Sequence, residues 1–248
     1  MKIACSSASF SRAFATGTLT QLEWLDICAN ELEVDGAVFD ARDFPREDAD
    51  YLAQVKKTAT DLGLTVAALD VGSPNMRNVD HLLTNAATLG APLLMVRAPE
   101  RSDDPQAWGA FADEIKAASG AAKRSNVTLA LRAAAGTLCE SVADCKRLAK
   151  DVDSAWLRLA FTPLAFTASD DPAVLLSKAV IAIHTVARTE TFARPDDPQA
   201  HELINALARF RGFTVIEHPV DGAADAAFHA TLERFASLRA QALVRTSP

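Results

Sequence analysis

The chain has 248 residues, 49% of them hydrophobic and 23% charged, and carries a formal net charge of −7. That composition supplies a sizeable core and argues against general nucleic-acid binding, in which Lys and Arg neutralise phosphates. No run approaches the roughly 20 apolar residues of a membrane span, and MKIACSSASFSRAF lacks the apolar segment of a signal peptide, so the expectation is a cytoplasmic globule.

Short apolar, β-branched runs recur along the whole chain. They begin at Lys2 (KIACSS), Gly36 (GAVFDAR), Thr65 (TVAALDV), Leu93 (LLMVRAP), Val127 (VTLALR), Leu157 (LRLAFT), Ala179 (AVIAIHTV) and Phe213 (FTVIEHP). Successive starts lie 22 to 34 residues apart, about what a strand, a helix and two loops occupy. The runs are nearly continuous in apolar residues, as parallel strands buried on both faces require.

Helical patterns fill the gaps. Thr20 and Glu23 have capping-box spacing ahead of a stripe at Leu22, Leu25, Ala29 and Leu32. Asp-Pro at 104–105, 171–172 and 197–198 stands before three further helical stretches, fitting an Asp N-cap with Pro at the first helical position. Phe228, Leu232, Phe235, Leu238 and Ala242 form a last stripe that reads as core. Eight alternating units with right-handed crossovers predict a single-domain (β/α)8 TIM barrel over residues 1–248. An open dinucleotide-binding sheet would carry a G-x-G-x-x-G after its first strand; Ser6-Ser7-Ala8-Ser9 follows instead.

Cys5, Cys28, Cys139 and Cys145 form no C-x-x-C pair and no zinc-finger spacing with histidine, so they read as buried thiols. His81, His201 and His229 fall within helical stretches without ligand spacing, and no G-x-S-x-G elbow is present. In a barrel of this kind the chemistry sits where strands end. Those ends carry Ser6 and Ser7, Asp40 and Arg42, Asp70, Arg97, Arg132, Thr162, His184, and Glu217 with His218. Such a set fits a catalytic mouth or a structural ion-pair network around the rim, because charges at strand ends are costly to bury unpaired. Arg42, Arg97 and Arg132, with Arg12 and Arg188 nearby, suit bidentate recognition of a carboxylate or phosphate. Arg42 and Arg97 equally suit pairing with Asp40, Asp70 or Glu217.

The opening MKIACSSASF, the stretch VDGAVFDARDFP, and the late VIAIHTV and GFTVIEHP resemble the xylose isomerase-like barrels, a group of sugar and sugar-phosphate isomerases and epimerases. The resemblance implies one divalent metal held by Glu, Asp, His and Glu at the ends of strands five to eight. The matching positions here are Arg132, Thr162, His184 and Glu217, so two of the four ligands remain, and the lysine that often follows the histidine is absent. At about 6 Å and an effective dielectric near 20, a divalent ion and a guanidinium repel by roughly 5 kcal/mol. No tightly held metal is therefore expected, unless Asp40 or Asp70 supplies replacement ligands, and no other cofactor is implied.

A two-base epimerisation loses one of its bases to Arg132. A one-base aldose–ketose isomerisation remains, with Glu217 as base, Arg132 stabilising the enediolate and His184 polarising the carbonyl. Ser7, Asp40, Arg42, Asp70, Arg97, Thr162 and His218 are the expected ligand-binding residues. The expected ligand is a sugar, sugar phosphate or sugar acid. A barrel that only binds a small anionic sugar derivative is the alternative.

Overall fold

A computed structural model describes residues 2–72, 78–161, 179–185, 206–207, 209–217, 229–230, 232–233, 236–237 and 240. Eight parallel strands close into a barrel in sequence order: β1 (Lys2–Ser6), β2 (Gly36–Asp40), β3 (Thr65–Asp70), β4 (Leu93–Arg97), β5 (Thr128–Arg132), β6 (Leu157–Phe161), β7 (Ala179–Thr185) and β8 (Phe213–Glu217). β1 pairs with both β2 and β8, which removes every free edge. The TIM barrel expected from the spacing is the fold observed.

Among the described residues six α-helices wrap this barrel: α1 (Ser11–Ala15), α2 (Gln21–Asp26), α3 (Ala49–Asp61), α4 (Val79–Leu89), α5 (Ala107–Ser125) and α6 (Val142–Val152). Thr20 caps α2 as its spacing implies: its side chain accepts from the Glu23 N–H, and Glu23 accepts from the Thr20 N–H at 2.8 Å. Beyond Asp26 the helix continues as a π-turn, Ile27–Glu31. The stripe still faces inward, with Leu25 and Leu32 buried. Asp104 differs in detail from expectation. Its carboxylate accepts from the Gln106 N–H at 2.9 Å and opens a turn, and Gln106 is the N-cap of α5. The Asp-Pro pairs at 171–172 and 197–198 lie outside the described residues, as do Phe228, Phe235, Leu238 and Ala242; Leu232 from that last stripe is buried.

Two apolar layers result. The larger fills the space between strands and helices and includes Trp24, Phe39, Leu83 and Leu129. The smaller lies inside the barrel and takes one residue from each strand: Ala4, Val38, Ala68, Met95, Ala130, Ala160, Ile181 and Val215, with Ala67 beside them. Side chains alternate along a strand with period two. Two residues beyond Ala4, Val38, Ala68, Ala130 and Val215 stand Ser6, Asp40, Asp70, Arg132 and Glu217. The fold therefore collects these polar groups on the interior face, one layer above the apolar plug. All four cysteines are buried and free, as expected. Among the described residues no helix is long and apolar enough to cross a membrane.

Candidate active site at the barrel mouth

Arg132, the last residue of β5, is the centre of the site. Its Nη2 donates to Glu217 Oε1 at 2.5 Å, and its Nη1 donates to Glu217 Oε2 at 3.3 Å and to Asp70 Oδ2 at 3.2 Å. The three side chains are well enclosed, at 21% exposure for Arg132, 9% for Asp70 and 15% for Glu217. The guanidinium thus spans the barrel from β5 to β3 and β8. These contacts use three of its five N–H donors.

Each carboxylate has a second anchor. Asp70 Oδ1 accepts from the Gly72 N–H at 2.9 Å, and Glu217 Oε2 accepts from Ser6 Oγ at 3.3 Å. Burial pushes the Asp70 carboxyl above its usual range; Arg132 and the Gly72 N–H oppose this, while Glu217 and Asp40 add to it. For Arg132, burial works against the charge, but Glu217 and Asp70 outweigh it and hold the guanidinium above its ordinary value. It is a fixed cation.

A second cluster adjoins the first. Asp40 ends β2 opposite Asp70 in register. Its carboxylate caps a 3-10 turn, Ala41–Asp43, by accepting from the Arg42 N–H at 2.9 Å. It also takes the Arg42 guanidinium through Nε (3.0 and 3.2 Å) and Nη2 (2.5 Å). Asp40 raises the Arg42 pKa by hydrogen bond and charge. Buried Ser7 accepts from the Asp40 N–H at 2.7 Å and donates to Asp43 Oδ2 at 2.7 Å. Burial raises the Asp43 carboxyl, with Ser7 and Ser11 pulling it back down. The two clusters are thus adjacent, each anchored by one of the consecutive serines Ser6 and Ser7.

The structure brings Arg132, Glu217, Asp70, Asp40, Arg42 and Ser7 together. For Arg42 it realises the pairing with Asp40 that competed with anion recognition, whereas the pairing of Arg132 with Asp70 and Glu217 is new from the structure. Arg97 ends β4 opposite Arg132 in register and is exposed. His184 lies in β7 opposite Ile216, one position short of Glu217 in register. Thr162, His218 and Arg188 lie outside the described residues. His81, on α4, is exposed and stands 3.2 Å from Glu47. Two contributors lacked a role in the sequence reading. Asp43 sits in a turn past the strand end, where DARD offers an acidic residue with no periodicity; Ser6 is one of three serines in SSAS, and only long-range geometry separates them.

Arg132 brings donors and no lone pair to this site. Among the described residues no group of three or more His, Cys, Asp or Glu is placed to hold a metal ion.

The profile of the xylose isomerase-like TIM barrel family matches residues 29–238. None of the curated protein sequences matches the chain. Among solved structures, D-psicose 3-epimerase from Clostridium cellulolyticum H10 superposes with a TM-score of 0.76 at 14% sequence identity, covering 98% of this chain and 99% of that one. The 3-keto-D-glucoside 4-epimerase from E. coli gives 0.72 at 16% identity, covering 97% and 99%. A probable 3-DHS dehydratase from Bacillus anthracis gives 0.72 at 12% identity over the same shares of the two chains. Likeness at such identities is a likeness of fold.

Proposed function

Because the chain belongs to the xylose isomerase-like TIM barrel family, we propose that it is an isomerase of a small sugar-type substrate that works without a tightly bound divalent metal. The observation that carries this reading is the Arg132 guanidinium bonded to Glu217 and Asp70 inside the mouth. A permanent cation stands between carboxylates that a metal would otherwise need as ligands, and hard divalent ions require oxygen donors rather than N–H groups. The donor set does not fit the metal that the family resemblance implies, so no step is routed through one.

The chemistry assigned to the residues follows from their types. A carbon next to a carbonyl is acidic only if negative charge on the oxygen is stabilised as it forms. Arg132 keeps two N–H donors beyond those used by the carboxylates, and Asp70 holds it aimed across the barrel. Glu217 takes the α-proton; the released electron pair forms the enediolate double bond, and the carbonyl oxygen becomes the anion that Arg132 meets. Transfer of the α-hydroxyl proton to the former carbonyl oxygen, and return of the abstracted proton from Glu217 to the neighbouring carbon, complete a one-base aldose–ketose exchange. His184, on the adjacent strand, stands in register with Ile216 of the outer layer, while Thr185 takes the position opposite Glu217, so no role at the carbonyl oxygen is assigned to it. The two epimerase neighbours, a D-psicose 3-epimerase and a 3-keto-D-glucoside 4-epimerase, support a sugar-type substrate.

A second reading, a barrel that binds a sugar derivative without turnover, draws on the same contact: both Glu217 oxygens already accept hydrogen bonds. The test begins with a thermal-shift screen of neutral sugars, sugar phosphates and sugar acids, since a ligand of the folded state raises the melting temperature. Turnover of the ligand found, abolished in Glu217→Gln, is the expected result. Binding without turnover selects the second reading, and turnover undiminished by Glu217→Gln refutes the assignment of the base.

A further inference from the structure

A cavity of about 1000 Å³ opens on the outside of the barrel, between α6 and the first residues of β6 and β7, at the upper end of the range for small-molecule sites. Its floor is apolar. Leu157 and Leu159 face from β6 into the outer layer, and Ala179 opens β7 opposite Leu159 in register. Leu159 and Ala179 are only half-buried, so this stretch of sheet is not fully covered. The rim is basic. Lys146 and Lys150 line the cavity from α6, four residues apart, the spacing that sets two side chains on one helix face. Neither makes an ion pair with a described carboxylate. Arg158 lines the cavity as well and spends an Nη1 donor on the Leu157 carbonyl at 3.0 Å; a guanidinium has five such donors. One carboxylate, Asp153, stands among these three cations.

We propose that this cavity binds an amphipathic anion, a medium-length aliphatic chain ending in a carboxylate. Two observations select that occupant. The half-buried floor gains stability in proportion to the apolar area taken out of water, which favours a hydrocarbon body. Three cations against one carboxylate leave the rim positive in a chain whose net charge is −7, and this local excess favours an acidic head. Arg158 is able to grip a carboxylate through two N–H groups, while lysine stems lie along hydrocarbon and keep their ammonium groups in water. A neutral amphiphile leaves the cations unanswered, and a short acid leaves the floor wet. The cavity lies toward the strand ends opposite the mouth and shares none of its residues, so the proposal does not rest on the isomerase reading.

Isothermal titration of the full chain with octanoate, hexanoate and octan-1-ol tests body and head separately. Octanoate should bind roughly tenfold tighter than hexanoate, because two more methylenes are buried, and tighter than octan-1-ol, which carries no charge. Exchanging the exposed Lys146 and Lys150 together for Gln should weaken octanoate roughly fivefold, the worth of two exposed ion pairs, and leave octan-1-ol unchanged. Exposed Ala149 lines the cavity, so Ala149→Trp fills it from the rim without removing core atoms and should abolish octanoate binding; an unchanged melting temperature would show that the variant folds. No octanoate binding, or binding that survives the lysine exchanges and Ala149→Trp alike, overturns the proposal. Octan-1-ol bound as tightly as octanoate overturns the acidic head. A dimer in analytical ultracentrifugation that Ala149→Trp dissociates, with no octanoate bound, gives the groove to a second copy and likewise overturns the proposal.

Discussion

Replacing Arg132 with Met removes the cation but keeps most of the side-chain volume. Asp70 and Glu217 then face each other across the mouth at side-chain exposures of 9% and 15%, and both are too enclosed for solvent to screen them as it screens surface pairs. Taking one partner from a buried ion pair costs about 3–5 kcal/mol, mostly through the charge left uncompensated. In a domain of this size each kcal/mol shifts the melting temperature by roughly 2–4 °C, so Arg132→Met should melt about 6–20 °C below the natural chain near neutral pH. Urea unfolding with an unchanged slope would confirm that the loss is one of stability. Adding Asp70→Asn and Glu217→Gln to Arg132→Met removes the orphaned charges, and part of the loss should be recovered, because the uncompensated buried charge is the largest part of it. A single variant within about 0.5 kcal/mol of the natural chain, the scatter of an ordinary surface substitution, would refute the claim that Arg132 neutralises these carboxylates.

Three other outcomes follow from the same structure. Asp70 has its pKa raised by burial, so its contribution to stability is fully present below its unfolded value of about 3.9 and is lost as pH rises through the folded value. Asp70→Asn escapes that loss, so the stability of the variant relative to the natural chain should climb with pH above about 3.9; a flat difference in urea titrations across pH would contradict the buried charge. Gly36 opens β2 where an added Cβ would sit 2.6 Å from the Thr65 carbonyl oxygen and 2.8 Å from the Phe213 ring, so Gly36→Ala should cost about 1–3 kcal/mol by forcing strands apart, and a neutral result by thermal unfolding would show that the strands yield. Restoring both family carboxylates in Arg132→Glu with Thr162→Asp should create stabilisation by millimolar Mn²⁺ that the natural chain lacks, read as a concentration-dependent rise in melting temperature; equal responses of the two proteins would weigh against the proposed exchange of cation.

The barrel was legible because its signals are local. Each strand is an apolar run of its own, and spacing alone identifies the repeating unit; Thr20 and Glu23 lie three residues apart and cap as their types require. The polar mouth was legible as a set, since period two carries interior alanines and valines to the charged strand ends. Its pairings were not. Arg132 meets Asp70 across 62 residues of sequence and Glu217 across 85, and nothing local chooses between those partners and a ligand anion. Asp43 escaped notice because it lies in a turn with no repeat to mark it. The Ser141–Asp144 capping box at the start of α6 is another local signal, carried by S-x-x-D spacing.

Metal content of the purified chain bears most directly on the proposal that a guanidinium replaces the ion at this mouth. Elemental analysis of protein prepared without chelators should find Mg, Mn, Co and Zn each far below one equivalent per chain. One equivalent of any of them, lost when Glu217 is changed to Gln, would contradict the proposal.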